Sequence, residues 1–212
     1  MMKIALINGS PKNMESASGC LLQELKKFLG DDKEIAEYSF RKPQLNEEEM
    51  EQVAESNALV FAFPLYVDGI PSHLLSCIMQ LESFLSTIKE KDIVVYTLVN
   101  CGFFEGHQTA LAIEMMKNWC KKAGLRWGQG IGMGAGGMLQ SVKNVPAGYG
   151  PKKDLGEALS KLVKNISERS SGEDIFITAN FPRFLYKLAA EMGWRKSVKA
   201  NGLKTRDLHL RK

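Results

Sequence analysis

No two cysteines in this sequence stand close together. The four present, Cys20, Cys77, Cys101 and Cys120, form no C-x-x-C pair. That spacing argues against a zinc site or an iron–sulfur cluster and gives no disulfide framework. Long apolar runs are missing as well, and no stretch reaches the roughly 20 residues of a membrane span. The opening MMKIALINGSP is too short in its apolar part for a signal peptide and reads better as a strand. A soluble, cytoplasmic chain is expected. Internal repeats and low-complexity segments are also lacking. Neither sign of charge dominates, with 28 Lys and Arg against 24 Asp and Glu for a net +4. The basic residues are spread out until the C-terminus, so no nucleic-acid partner is expected.

What remains is ordinary globular material: 44% hydrophobic and 25% charged residues over 212 positions, enough for one well-buried domain and an appendage. Residues 3–8 (KIALIN) form a nearly all-apolar run, the pattern of a strand buried on both faces. Leu21, Leu22, Leu25, Phe28 and Leu29 then recur at helical spacing before Gly30. Residues 34–38 make a weak strand and 47–56 a short acidic helix. Another apolar strand, 58–63, stops at Pro64, and Pro71 suits the start of a helix with Leu74, Leu75, Ile78, Leu81 and Leu85 on one face. The strongest strand is 92–99. A helix over about 106–123, a glycine-interrupted strand over 125–133 and a helix marked by Leu155, Leu159, Leu162, Val163 and Ile166 follow.

Strand and helix thus alternate five times. The economical solution is a three-layer α/β sandwich with a five-stranded parallel sheet in flavodoxin-like, doubly wound order. The expected division is a domain over 1–170 and a C-terminal helical extension over 171–212.

In open α/β sheets ligands bind beyond the carboxyl ends of the strands, so three loops belong together. The first, INGSPKNMESASG over 7–19, has neither a G-x-x-x-x-G-K-[ST] cradle nor a G-x-G-x-x-G turn. It offers the hydroxyls of Ser10, Ser16 and Ser18, the charge of Lys12, and free N–H groups where a helix begins. Several neutral donors converging on one point suit a compact monophosphate such as that of FMN. The plainer alternative is that Ser16 only caps the helix. The second loop, PLYVDGIP over 64–71, sets Tyr66 at the crest of a proline-framed turn. It could wall a flat ring, or be an ordinary turn. The third, VNCGFFEGH over 99–107, carries two adjacent aromatics, which call for a ligand or a subunit interface to cover them. Cys101 lacks an identifiable His/Asn partner and reads as a quiet thiol. His107 reads as a residue of the first helical turn.

Together KIALINGSPK…SAS, FPLYVDGIPSHLL and NCGFFEG resemble the NAD(P)H-dependent FMN reductase and quinone reductase group of flavodoxin-like proteins, over roughly 1–170. The resemblance implies that Ser10, Lys12, Ser16, Ala17 and Ser18 grip the FMN phosphate. It places Pro64, Leu65, Tyr66 and Val67 along the isoalloxazine, and Asn100, Cys101, Gly102 and Phe103 where a loop closes on the ring. It implies hydride transfer from NAD(P)H to FMN, electrons passed on to a small-molecule acceptor, and a homodimer or tetramer. It assigns no catalytic side chain and no metal. An electron carrier docking on protein partners is the alternative, although such carriers tend to be strongly acidic. A flavodoxin-like shape that binds no flavin is a second rival. Two positions depart from the group's pattern: Asp68 stands where Asn is frequent and is expected to point away, and Leu75 stands where a lysine is frequent.

The G-x-G-x-x-G within 132–137 precedes no convincing helix, so a loop allowing close backbone approach near the site is the better reading. In the tail, Phe184, Leu185, Leu188 and Met192 share a helical face, with Arg183, Lys187, Arg195, Lys196 and Lys199 nearby. Such a helix could rest on a membrane surface, cover the flavin pocket, or pack on its own domain or a neighbouring subunit. Packing is preferred, because apolar stripes are usual for any packed surface helix.

Overall fold

The apolar runs form the strands expected of them. In a computed structural model that describes residues 1–12, 15–89 and 91–209, β1 (Lys3–Asn8), β2 (Glu34–Ser39), β3 (Ala58–Pro64), β4 (Val94–Asn100) and β5 (Arg126–Met133) pair in parallel. A sixth strand, β6 (Ile175–Ile177), adds to β5, and the order is β2-β1-β3-β4-β5-β6. The sheet therefore has six strands where five were expected. Three residues are too few to show a period, which is why the sixth escaped the sequence.

Alternate strand residues point to opposite faces, and each face is covered by helices. Ile4, Leu6, Val60, Leu98 and Ile131 pack with Leu21 and Leu25 of α1 (Ala17–Leu29) and Leu155, Leu159 and Leu162 of α5 (Lys153–Glu168). On the other face Ile7, Phe61, Val95 and Val99 meet Val53 of α2 (Glu47–Ala54), Leu74 and Ile78 of α3 (Ser72–Ser86), and Ile113 and Met116 of α4 (Ala110–Ala123). These side chains are buried, and each contributes roughly 1.5–3 kcal/mol of transfer free energy. The product is the three-layer sandwich anticipated from the alternation.

One charged pair crosses the α1–α5 layer. Lys152 and Glu24 are 2% and 8% exposed and bonded at 2.9 Å from Nζ to Oε1. Lys27 adds a second bond to the same carboxylate at 3.1 Å. Burial pushes the Glu24 carboxyl up, but the hydrogen bonds from Lys152 and Lys27 outweigh it and hold the group below its ordinary value.

Two compact units divide the chain, Met1–Ala179 and Asn180–Lys212. The second contains α6 (Arg183–Ala200) and a 3₁₀ turn at Thr205–His209, and no residue of α6 is buried. Among the described residues no helix is long and apolar enough to cross a membrane.

Candidate functional site

The loops after β1, β3 and β4 meet at the carboxyl edge of the sheet around one cavity of about 250 Å³. Its floor is hydroxylic. Ser10, Ser16 and Ser18 are almost fully buried there, and each hydroxyl oxygen already accepts a bond from the protein. Ser10 Oγ accepts from the Lys12 N–H (3.4 Å), Ser16 Oγ from the Gly19 N–H (3.0 Å) and Ser18 Oγ from Asn100 Nδ2 (2.8 Å). A hydroxyl has one proton to give. Each oxygen thus has one of its two lone pairs engaged and keeps a proton to give. The Ser16 bond is the N-cap of α1, so capping and ligand donation coexist in one side chain.

The start of α1 supplies more donors. The first four N–H groups of a helix have no intrahelical partner. Ser16 satisfies that of Gly19 through its side chain, and its carbonyl accepts the first helical bond, from Cys20. The N–H groups of Ala17 and Ser18 come before them, and both residues line the cavity beside Lys12. Three hydroxyls, two helix-start amides and one ammonium form a donor set matched to a compact anion.

Asn100, at the end of β4, braces the assembly. Its buried side-chain amide donates to Ser18 Oγ and to the Phe63 carbonyl (3.1 Å), while its backbone carbonyl accepts from the Leu65 N–H (2.7 Å). All three loops are thereby tied to one residue. On the other side, Gly9 lets the first loop pass Leu74: a Cβ there would meet Leu74 Cδ2 at 2.5 Å. His73 Nε2–H donates to the Gly9 carbonyl at 3.1 Å.

The second loop contains a tight turn in which Tyr66 and Gly69 exchange both backbone bonds, each 3.0 Å. Val67 and Asp68 between them have φ of 47° and 60°. Glycine or asparagine would take these positions without strain, whereas a β-branched valine is a genuine outlier. Backbone strain of this kind persists where the surroundings impose it, and it concentrates at functional sites. Asp68 is exposed and does not line the cavity.

The glycine loop after β5 closes the third side. Ala135 N–H donates to the Phe103 carbonyl (2.6 Å) and Gly136 N–H to that of Cys101 (2.8 Å), and Gly137 joins the lining. At Gly132 a Cβ would collide with Thr109 Oγ1, so this glycine serves the packing of the 3₁₀ turn Gly106–Thr109 against β5. Cys101 is buried; burial pushes its thiol up, opposed in part by a hydrogen bond from the Phe103 backbone. At neutral pH it is a thiol rather than a nucleophilic thiolate. His107 lies in the 3₁₀ turn, stacked edge-on against Phe176 at 5.0 Å.

Eleven of the thirteen residues singled out from the sequence line this cavity: Ser10, Lys12, Ser16, Ala17, Ser18, Pro64, Leu65, Tyr66, Asn100, Cys101 and Gly102. Val67 and Phe103 do not; they stand exposed beside it. Gly137 was not among the thirteen, and the glycine loop was the signal that pointed its way. A larger groove, about 880 Å³, runs along α3 and α4 and includes Leu75. Its lining is mostly apolar helix side chains, without the convergent donors of the sheet edge. Donor chemistry, not volume, therefore selects the smaller cavity.

This architecture is flavodoxin-like. The solved structures it resembles include an NAD(P)H:quinone oxidoreductase from Methanothermobacter marburgensis, at 14% identity and a TM-score of 0.59 over 78% of this chain and 96% of the other. A short-chain flavodoxin associated with a non-canonical PDU bacterial microcompartment matches at 14% identity and 0.56, over 81% of this chain and 100% of its own. A flavodoxin, WrbA-like protein from Agrobacterium tumefaciens matches at 11% and 0.54, over 79% and 99%. At such identities the likeness establishes the fold. No protein-family model and no curated protein matches the sequence.

Proposed function

We propose that the chain is an FMN-dependent oxidoreductase that takes hydride from NADH or NADPH and passes electrons to a small acceptor, a quinone, a nitro or azo compound, or free flavin. The observation that carries the reading is the convergence of three buried serine hydroxyls, the start of α1 and Lys12 on one cavity at the carboxyl edge of a flavodoxin-like sheet. Bound FMN supplies the hydride-accepting chemistry. Ser10, Ser16, Ser18 and the Ala17 and Ser18 N–H groups bind its phosphate, and Lys12 adds charge. Leu65 and Tyr66 on one loop and Cys101 and Gly102 on another flank the ring, with Val67 and Phe103 at the rim. The cavity, lined by residues of all three loops, is smaller than the roughly 300–1,000 Å³ of a typical whole-ligand pocket, so part of the flavin would stand outside it, open to substrates. No acid–base pair is required of the protein. The resemblance of the three loops to the reductase group supports nicotinamide use and a homodimeric or tetrameric state.

A comparison of FMN with riboflavin tests the phosphate assignment. Hydrogen bonds to a charged group contribute about 1.5–3 kcal/mol each, and 1.4 kcal/mol is a factor of ten. Quenching of flavin fluorescence should therefore show FMN bound at least about 100-fold more tightly than riboflavin. Equal affinities would refute a phosphate site in the serine loop.

A further inference from the structure

The net charge of +4 conceals two opposite charges. Residues 1–179 hold 19 Lys and Arg against 22 Asp and Glu, a net of −3, whereas residues 180–212 hold nine against two, a net of +7. The basic character of the protein thus resides in its last 33 residues.

Helix α6 dominates that unit, and it displays apolar side chains as well as cations. Phe184, Leu188 and Met192 are 70%, 53% and 63% exposed. At four-residue spacing they form one ridge. Eleven residues is close to three turns, so Arg195 and Lys199 fall in line with Phe184 and Leu188 and continue the same face with charge. Trp194 is exposed on another side of the helix, and Leu203 and Leu208 remain exposed beyond it. The Arg195–Glu191 contact, at 3.8 Å between exposed groups, binds weakly. An apolar ridge continued along the same face by arginine and lysine, on a unit with large excess positive charge, matches the interface of an anionic lipid bilayer.

We propose that the 180–212 unit is a peripheral membrane anchor. Phe184, Leu188 and Met192 enter the acyl boundary of an anionic bilayer, and Arg195, Lys196 and Lys199 lie among the headgroups. Charge complementarity selects this occupant over an acceptor of neutral surface. The aliphatic members of the ridge, Leu188 and Met192, favour lipid over nucleic acid, whose bases call for aromatic stacking partners. The inference stands independently of the flavin site.

The test is co-sedimentation of the full chain with vesicles of phosphatidylcholine alone or mixed with phosphatidylglycerol. Binding to the mixed vesicles, weakened by salt and much reduced on phosphatidylcholine alone, is the expected result. Each basic residue near an anionic surface contributes about fivefold, so Arg195→Glu/Lys196→Glu/Lys199→Glu should lower partitioning on the order of 100-fold or more. Leu188→Glu should lower it at least about tenfold. All four positions are exposed, so thermal unfolding should be unchanged in both variants and fold loss is separable from lost binding. Four outcomes would overturn the proposal: no binding to mixed vesicles, binding indifferent to Leu188→Glu, tighter binding to a single-stranded RNA probe than to the vesicles, or a self-association in solution that both variants abolish.

Discussion

Ser16→Asp should abolish FMN binding, whereas Ser16→Asn should weaken it and leave it measurable. Asparagine and aspartate both cap helices well, so either variant keeps the bond from the Gly19 N–H that starts α1. They add the same volume to a buried position. Only the second charge differs. A carboxylate about 4 Å from a phosphate at an effective dielectric of about 20 costs about 4 kcal/mol. Loss of the Ser16 proton donor is common to both variants and cancels in the comparison. The expected ratio of dissociation constants between the two is at least 100-fold, an allowance for screening at the mouth of the cavity included. Equal affinities would remove Ser16 from the phosphate site, and unimpaired binding in both would move that site elsewhere.

The second large effect concerns stability. Glu24→Gln leaves the ammonium of Lys152, 2% exposed, without its counter-charge. Removing one partner of a buried pair costs about 3–5 kcal/mol, and for a domain of this size each kcal/mol lowers the midpoint by roughly 2–4 °C. A fall of roughly 10 °C is expected. Lys27→Met, which removes the exposed third member, should cost less than about 1 kcal/mol. Replacing both buried partners, Glu24→Leu with Lys152→Met, should recover most of the loss, because an apolar pair of similar volume needs no desolvated charge. The pH dependence follows from the depressed carboxyl. A carboxyl whose folded value lies below its unfolded one, about 4.3, stabilises the fold above that unfolded value. The contribution disappears as pH falls through the lower, folded value. The gap between wild type and Glu24→Gln should accordingly be widest near neutrality and narrow on acidification below about pH 4.

The elements most legible in the sequence were those with one dominant physical cause. β1, β3 and β4 are apolar because both faces of the sheet are covered, and continuous apolar runs announced them. In α3 the buried set Leu74, Ile78, Leu81 and Leu85 follows helical spacing, yet Leu75, assigned to the same face, is 36% exposed. Adjacent residues lie about 100° apart around a helix, so Leu75 turns toward the groove along α3 and α4. β6 was invisible because it gains its place from three residues of pairing with β5 rather than from a pattern of its own.

At the site, residue types revealed which loops mattered but not what each side chain does. Nothing in VNCGFFEGH says that the amide of Asn100 is committed to Ser18 and to the Phe63 carbonyl. That role depends on strands distant in sequence being neighbours in the sheet. The strain at Val67 was equally hidden, since valine gives no warning of a positive φ. Resemblance carried the assignment of a ring to the second and third loops. The hydroxyl pattern of the first could be argued from chemistry alone.

The most direct measurement is an anaerobic titration of the FMN-loaded protein with NADH and, separately, NADPH, followed in the visible flavin bands. The account predicts rapid bleaching by at least one nicotinamide, with colour restored on adding a quinone. Bound flavin that neither nicotinamide bleaches would contradict the reductase reading and identify a carrier that awaits a protein partner.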